Sequence, residues 1–294
     1  MREAAASCQA RDRAGKMGLQ LVATGRTMSA CLSKNRASHA RAIFALKTMP
    51  LSDTQPLWQL SEFEAARRQA AAAEQAPLKR QTILPSTLQA ELRVLERRRD
   101  SADALEVVGA CVRLREPALI HLQCEGQVWP ITLFPQPMLY HSPRSLLEAD
   151  RRELSGLRVL DVEAPGVRPP GHWMHERIAG AEAYHALPPL LWRLALEGPR
   201  ADLLHEVSGN AVFRVLRDPS SPDLPTPGAL GPTIDRLRRE SAPLRHVARW
   251  PGMSFERASR LVNALYLTSN LIVSRAHHAA QPGMLKSLLG RFGR

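Results

Sequence analysis

The sequence has few aromatic residues and no long apolar runs. Each of these absences excludes some classes of structure. Aromatic residues make up 5% of the 294 residues while hydrophobic residues make up 44%, so we expect aliphatic cores. No stretch approaches the ~20 consecutive apolar residues that cross a bilayer. The start also lacks an apolar run followed by a small-residue cleavage site, the pattern of a secretory signal. We therefore expect a soluble, cytoplasmic protein.

Cysteine is scarce and carries no recognisable pattern. The four cysteines form no CxxC pair and lack zinc-ribbon spacing. A chain of this length needs no disulfides, which favours a reducing compartment. Cys111 and Cys124 fall in apolar runs, where a free cysteine is usually an inert core residue.

Motifs for catalysis are also lacking. The sequence has no glycine-rich phosphate loop, no GxSxG elbow and no kinase motif set. We therefore nominate no catalytic residue and expect no cofactor, and an enzyme is the least favoured of three functions considered.

One histidine-rich segment is a candidate for metal binding. His172 and His175 are three residues apart, and His185 could join them, whereas catalytic zinc motifs place two histidines four apart with a glutamate between. The preceding Pro169–Gly171 suggests the end of a loop. We therefore favour surface or capping histidines and predict no metal site.

The net charge of +12 is concentrated at the two ends of the chain. Residues 1–52 carry +7, residues 53–230 carry −3 and residues 231–294 carry +8. A basic excess of this size is typical of nucleic-acid binding. However, only five of the forty basic residues are lysine, and a GC-rich bacterial genome would encode such an arginine bias in any case.

The distribution of patterned segments predicts an α+β fold in four parts. Residues 1–48 have no hydrophobic period and should be poorly ordered. We favour an upstream start codon, with Met49 as the true first residue, over a transit peptide. Residues 49–217 should form a mixed α+β domain with a small β-region and helices. Residues 218–232, with five prolines and two glycines, should be a linker. Residues 233–294 should form a C-terminal unit.

The central region alternates between helical and β-rich patterns. Ser61 and Ser86 are expected to N-cap two helices. Glu125-Gly126 predicts a hairpin turn between strands at Ala118–Cys124 and Gln127–Phe134. Pro130 in the second of these strands should then face outward at an edge position. The remaining expectations cover five segments. They are strands at Met138–His141 and Leu157–Val162, a strand or helix at Leu105–Leu114, a helix from Leu187, and a helix over Ala201–Val207.

The C-terminal unit reads as helix, helix, turn, helix, strand. Helices are predicted at Thr233–Glu240 and Leu244–Trp250, and Ser254 can cap a third helix. An apolar stripe on that third helix comprises Ala258, Leu261, Val262 and Leu265. Leu271–Val273 then reads as a strand. Over residues 231–276 this order resembles a winged-helix unit of bacterial regulators, and the overall order of regions is similar to bacterial signalling proteins with a PATAN-type domain.

The resemblance implies two functions for the third helix. In winged helices of DNA-binding regulators this helix docks in the major groove. Here its face opposite the stripe would present Arg257, Arg260 and Asn263, and arginine can pair with guanine and asparagine with adenine. Such residues also occupy ordinary solvated helix faces, and many winged helices serve as protein-interaction modules.

The C-terminal tail, residues 283–294, has a second amphipathic pattern. Its apolar and basic candidates for docking are Leu285, Leu288, Leu289, Phe292, Lys286 and Arg291. This segment could bind a partner groove, lie on an anionic membrane surface or pack on its own domain. Taken together, the sequence predicts a non-enzymatic cytoplasmic bacterial regulatory or adaptor protein acting through protein–protein contacts. The alternative is a DNA-binding transcriptional regulator, and the oligomeric state is left open.

Overall fold

A computed structural model of the chain describes residues 57–73, 84–217 and 224–275, without the side chains of residues 70–73. The chain divides into two compact units, residues 1–46 and 47–294, and every described residue belongs to the second. The expectations for residues 1–48 and for tail docking at residues 283–294 lie outside the described residues.

The central region is built on an antiparallel sheet whose strands are β1 (Trp58–Gln59), β2 (Ala118–Cys124), β3 (Gln127–Phe134), β4 (Leu139–His141), β5 (Arg158–Glu163) and β6 (Tyr184–Ala186). The strand order is β5-β2-β3-β4-β6, and β1 also pairs with β3. Its helices are α1 (Leu60–Ala73), α2 (Ser86–Arg98), α3 (Ala104–Leu114), α4 (Arg151–Ser155) and α5 (Leu187–Glu197).

The β2–β3 hairpin confirms the predicted turn. Glu125 and Gly126 have φ of 47° and 81°, and a two-residue hairpin turn of type I′ requires positive φ at both positions. Alternate residues of β2 are buried. One face of the sheet therefore joins the main core with Ile120, Leu122 and Trp129, while His121 lies on the other face.

Pro130 is not at the edge of the sheet as predicted, since β3 lies between β2 and β4. The structure tolerates it because β1 pairs with β3 as far as Val128 and β4 pairs from Thr132 onward, so Pro130 falls between the two ladders. A proline lacks the N–H that a ladder would use.

Several predicted helix boundaries were wrong. The first helix begins at Leu60, before Ser61, and the N-cap of α2 is Pro85, with Ser86 as the first helical residue. The ambiguous segment forms α3, capped by Asp103, whose carboxylate accepts hydrogen bonds from the N–H groups of residues 105 and 106. The expected helix over residues 201–207 is a 3-10 turn, His205–Val207.

The C-terminal region follows the predicted order of elements. It comprises β7 (Ala211–Val215), α6 (Leu230–Arg239), β8 (Ala242–Pro243), α7 (Leu244–Val247), α8 (Phe255–Leu267) and β9 (Leu271–Arg275). The Ser254 hydroxyl accepts a hydrogen bond from the Arg257 N–H at 3.1 Å, so the predicted cap is confirmed. The four residues of the apolar stripe on α8 are fully buried.

Strand β7 is an element that the sequence analysis missed, and it changes the domain picture. It precedes the predicted linker, yet it is the central strand of a three-stranded sheet, β8-β7-β9, with strands that follow the linker. Helix α8 also packs against α5 of the central region. The predicted boundary at residues 218–232 thus does not separate two cores in the described part of the chain.

The described residues combine helices with two antiparallel sheets, so the α+β class is confirmed. In the described part of the chain, no helix has the length and apolarity to cross a membrane.

Candidate functional site

The face of α8 that sequence reasoning assigned to DNA is largely turned inward. Asn263 is completely buried. Its side-chain oxygen accepts a hydrogen bond from the Leu204 N–H at 3.0 Å, and its amide nitrogen donates to the Asp202 carbonyl at 2.9 Å. The prediction that Asn263 is exposed was wrong, because the segment between α5 and β7 covers this side of the helix.

The Arg260 side chain also makes its contacts within the protein. Its side chain is 16% exposed and pairs with Glu256 at 2.8 Å. The guanidinium donates to the carbonyls of Gly198 and Leu196 at 2.8 and 3.2 Å, where α5 ends. A positive charge is favourable at a helix C-terminus, where carbonyl groups lack helical partners. Arg257 is exposed and donates to the Gly252 carbonyl at 3.0 Å. The three residues therefore do not form a common exposed surface.

A second set of contacts, a buried network of charged side chains, also holds the segment between α5 and β7. Arg200, with a side chain 10% exposed, contacts Asp103 at 2.7 Å and Glu106 at 2.9 Å. Glu106 also accepts a hydrogen bond from the His205 N–H at 2.9 Å. Because Asp103 caps α3, the network ties that helix to the segment that Asn263 holds.

The segment Arg168–Ile178 of the central region forms a loop that is closed by hydrogen bonds. The Arg168 N–H donates to the Arg177 carbonyl at 2.8 Å, and Arg168 and Ile178 form an isolated parallel bridge. The Tyr184 hydroxyl donates to the Arg168 carbonyl at 2.5 Å and accepts from the Ala179 N–H at 2.9 Å. Tyr184 thus fastens both ends of the loop to β6.

Trp173 lies within this loop and is 77% exposed. Its ring stacks on His172 with centroids 5.6 Å apart and an interplanar angle of 27°. The His172 Nδ1 accepts a hydrogen bond from the Met174 N–H at 3.1 Å, so this histidine supports the turn that presents the tryptophan. The group of potential metal ligands found among the described residues includes neither His172 nor His175.

That group is His121, Asp161 and Glu163, whose candidate ligand atoms lie within 4.8 Å of one another. His121 is opposite Asp161 in the β2–β5 ladder, and Glu163 is opposite Leu119. The register shifts directly after His121, leaving Leu160 as an extra residue in β5. Bulges of this kind change the direction of side chains and are frequent beside functional sites.

The surroundings of His121 keep its ring neutral. Burial lowers the pKa of His121 to about 4; Asp161 opposes this shift and Arg67 adds to it. The Phe63 ring lies 4.8 Å from the imidazole, and Arg67 contacts Asp161 at 3.2 Å. The His121 Nδ1 is buried without a hydrogen-bond partner. Sequence reasoning missed the cluster because it depends on the register of two strands far apart in the chain.

The two cysteines that the sequence analysis considered, Cys111 and Cys124, have unreactive thiols. Burial raises the pKa of Cys111 to about 12 and that of Cys124 to about 11, so both thiols stay protonated at neutral pH. Leu216, the residue directly after β7, and Ile272 on β9 are 57% and 41% exposed.

Comparison of the chain with protein-family models, curated proteins and solved structures gave no match. Its function must therefore be inferred from the geometry of its own residues.

Proposed function

We propose that this protein is a non-enzymatic cytoplasmic regulatory or adaptor protein that binds a protein partner through the Arg168–Ile178 loop. The observation that carries the proposal is the exposure of Trp173, at 77%, on a loop that is closed by hydrogen bonds. Large exposed apolar side chains are informative because burial of an aromatic ring is a principal source of binding energy.

The energy available from Trp173 is sufficient for an interface anchor. An aromatic side chain buries roughly 150–250 Å² in a complex. Covering the exposed part of this ring should remove on the order of 150 Å² from water, which is worth at most about 4 kcal/mol at ~25 cal/mol per Å². Tryptophan is among the residues most enriched at the energetic centres of protein interfaces.

The anchoring of the loop lowers the cost of binding. The two bonds of the Tyr184 hydroxyl and the Arg168–Arg177 bond hold the loop ends together. Stacking on His172 restricts the tryptophan itself. A side chain and loop that are ordered before binding lose less conformational entropy when the partner arrives.

The burial of α8 also favours a protein partner over DNA. A helix that reads base edges must enter the major groove with its polar face exposed. Here Asn263 is fully buried and the Arg260 side chain is 16% exposed. The DNA-binding alternative therefore lacks two of its three proposed contact residues.

The proposal is tested with Trp173→Ala in the full chain, and Phe255→Ala is the matched control. Phe255 is 52% exposed and lies at the start of α8, outside the loop. Proteins retained by each immobilised variant are quantified, and the affinity of any candidate partner is then titrated. We expect Trp173→Ala to weaken partner binding at least ~30-fold, in the range of an interface hot spot, and Phe255→Ala to change it less than ~3-fold.

Both variants should keep wild-type melting temperatures, because each removes a largely exposed side chain. If every retained protein binds the two variants equally, the loop is not the interface. If instead the chain binds one duplex sequence at nanomolar affinity, the DNA-binding alternative replaces the proposal.

A further inference from the structure

We propose that His121, Asp161 and Glu163 form a binding site for a divalent transition-metal ion on the outer face of the central sheet. The proposal is independent of the partner-binding loop, and three observations support it. They concern the placement of the ligands, the unsatisfied imidazole and the surroundings of the cluster.

The first observation is that two adjacent strands place three donor groups on one face. His121 is opposite Asp161, and Glu163 is two residues further along β5, so all three side chains point the same way. The bulge at Leu160 makes this possible, since it lets Val159 and Val162 both pack against the core while Asp161 and Glu163 face outward. Without the extra residue, one of the two valines would face away from the core.

The second observation is the His121 Nδ1, which is buried and has no hydrogen-bond partner. A buried polar atom without a partner is costly, and such atoms often indicate a ligand or an ion. Metal-binding histidine uses one ring nitrogen for the ion and commonly pairs the other. An ion bound by His121 Nδ1 and held between this imidazole and the two carboxylates would supply the partner that Nδ1 lacks.

The distances are compatible with a metal ion after a small adjustment. The candidate ligand atoms lie within 4.8 Å of one another. Ligands about 2.0–2.2 Å from a tetrahedral Zn²⁺ are roughly 3.5 Å apart, so the donors must move inward by about 1 Å. Glu163 is exposed and the Asp161 side chain is 26% exposed, so ions can reach the site from solvent.

The third observation concerns the chemistry of the donors and of the side chain beside them. In the described part of the chain, the Arg67 guanidinium contacts Asp161 at 3.2 Å and the Leu160 carbonyl at 3.3 Å. One nitrogen and two oxygen donors suit a borderline ion such as Zn²⁺ better than Ca²⁺ or Mg²⁺, which prefer all-oxygen sites. Arg67 is then a competitor, since it occupies one carboxylate oxygen and repels a second cation.

The test is Zn²⁺ titration of the metal-free full chain by calorimetry, repeated with Co²⁺ and its visible absorption. We expect one ion per chain at this site. Glu163→Gln and His121→Ala should each weaken binding at least ~10-fold, because even groups that only support a metal ligand contribute 10–100-fold to affinity. Glu163 is exposed, so its substitution keeps the fold and guards against a trivial loss of structure in His121→Ala.

Two further variants separate this site from unspecific binding. Arg67→Ala should tighten Zn²⁺ binding several-fold, because it frees a carboxylate oxygen and removes a repulsive charge. The double variant His172→Ala/His175→Ala removes histidines outside the cluster and should leave the affinity unchanged. The proposal is overturned if Zn²⁺ binds no tighter than about 100 μM, if Glu163→Gln binds it as the wild type does, or if the loop histidines carry the binding.

Discussion

Replacing Asn263 by alanine tests whether α8 is an internal support or an exposed recognition helix. The substitution removes the partners of two backbone groups, the Leu204 N–H and the Asp202 carbonyl, from which the Asn263 side chain is 3.0 and 2.9 Å away. Leaving a buried polar group unpaired costs about 1–3 kcal/mol. The loss of partners for two such groups, one of them partly accessible, should therefore lower the free energy of unfolding by about 3 kcal/mol.

The assay is thermal and denaturant unfolding of the full chain followed by circular dichroism. For a chain of this size, 1 kcal/mol corresponds to about 2–4 °C in melting temperature, so we expect a decrease of roughly 6–12 °C. Arg257→Ala is the matched control, because Arg257 is on the same helix but exposed, and it should change the melting temperature by less than about 2 °C. If Asn263→Ala were as stable as Arg257→Ala, the asparagine would face solvent and the packing of α8 on α5 would be wrong.

Three further predictions concern the cores and the buried charges. Val262→Asp introduces a charge at a position with no exposure and should lower the free energy of unfolding, measured by chemical denaturation, by more than ~2 kcal/mol. Near-wild-type stability would mean that the apolar stripe on α8 faces water. Arg200→Ala leaves Asp103 and Glu106 without their buried partner and should lower the free energy of unfolding by about 3–5 kcal/mol. A loss below about 1 kcal/mol would show that solvent screens these two ion pairs. Burial, and to a smaller degree the neighbouring His185, lowers the pKa of His141 from 6.5 to about 4. Because the unfolded chain then binds that proton more readily, His141 should lower the free energy of unfolding by at most about 3 kcal/mol as pH drops from about 6.5 to 4. His141→Gln should remove this part of the pH dependence of stability, and an unchanged pH dependence would contradict the prediction.

Local features of the fold could be predicted because neighbouring residues determine them. The Glu125-Gly126 turn needs two residues that accept positive φ, and the Ser254 cap needs a hydroxyl before an apolar stripe. Helix α3 could not be distinguished from a strand, since Leu105–Leu114 is buried along most of its length and shows no strong alternation. Its cap, Asp103, was the available signal.

Features that depend on distant segments could not be predicted. Strand β7 is five residues long and pairs with β9 across the predicted linker, so no local pattern marks it as the centre of a sheet. The periodicity of α8 correctly located its apolar stripe. It could not reveal that α5 and the segment after it cover the polar side, where Asn263 finds backbone partners.

The same distinction between local and long-range features applies to the candidate sites. The sequence shows that position 173 is a tryptophan, but the exposure of its side chain depends on the contacts of Tyr184 with the loop. The His121 cluster depends on the register of β2 and β5 and on the bulge at Leu160. Neither the register nor the bulge has a signature in the residues that form the cluster.

Site-specific photo-crosslinking in living cells tests the partner-binding loop most directly. A photoreactive phenylalanine analogue is placed at position 173 in one version of the protein and at position 255 in another, since both native side chains are exposed aromatics. We expect a discrete protein adduct from position 173 that is absent from position 255. No adduct at position 173, or the same adducts from both positions, would contradict the assignment of the Arg168–Ile178 loop as the interface.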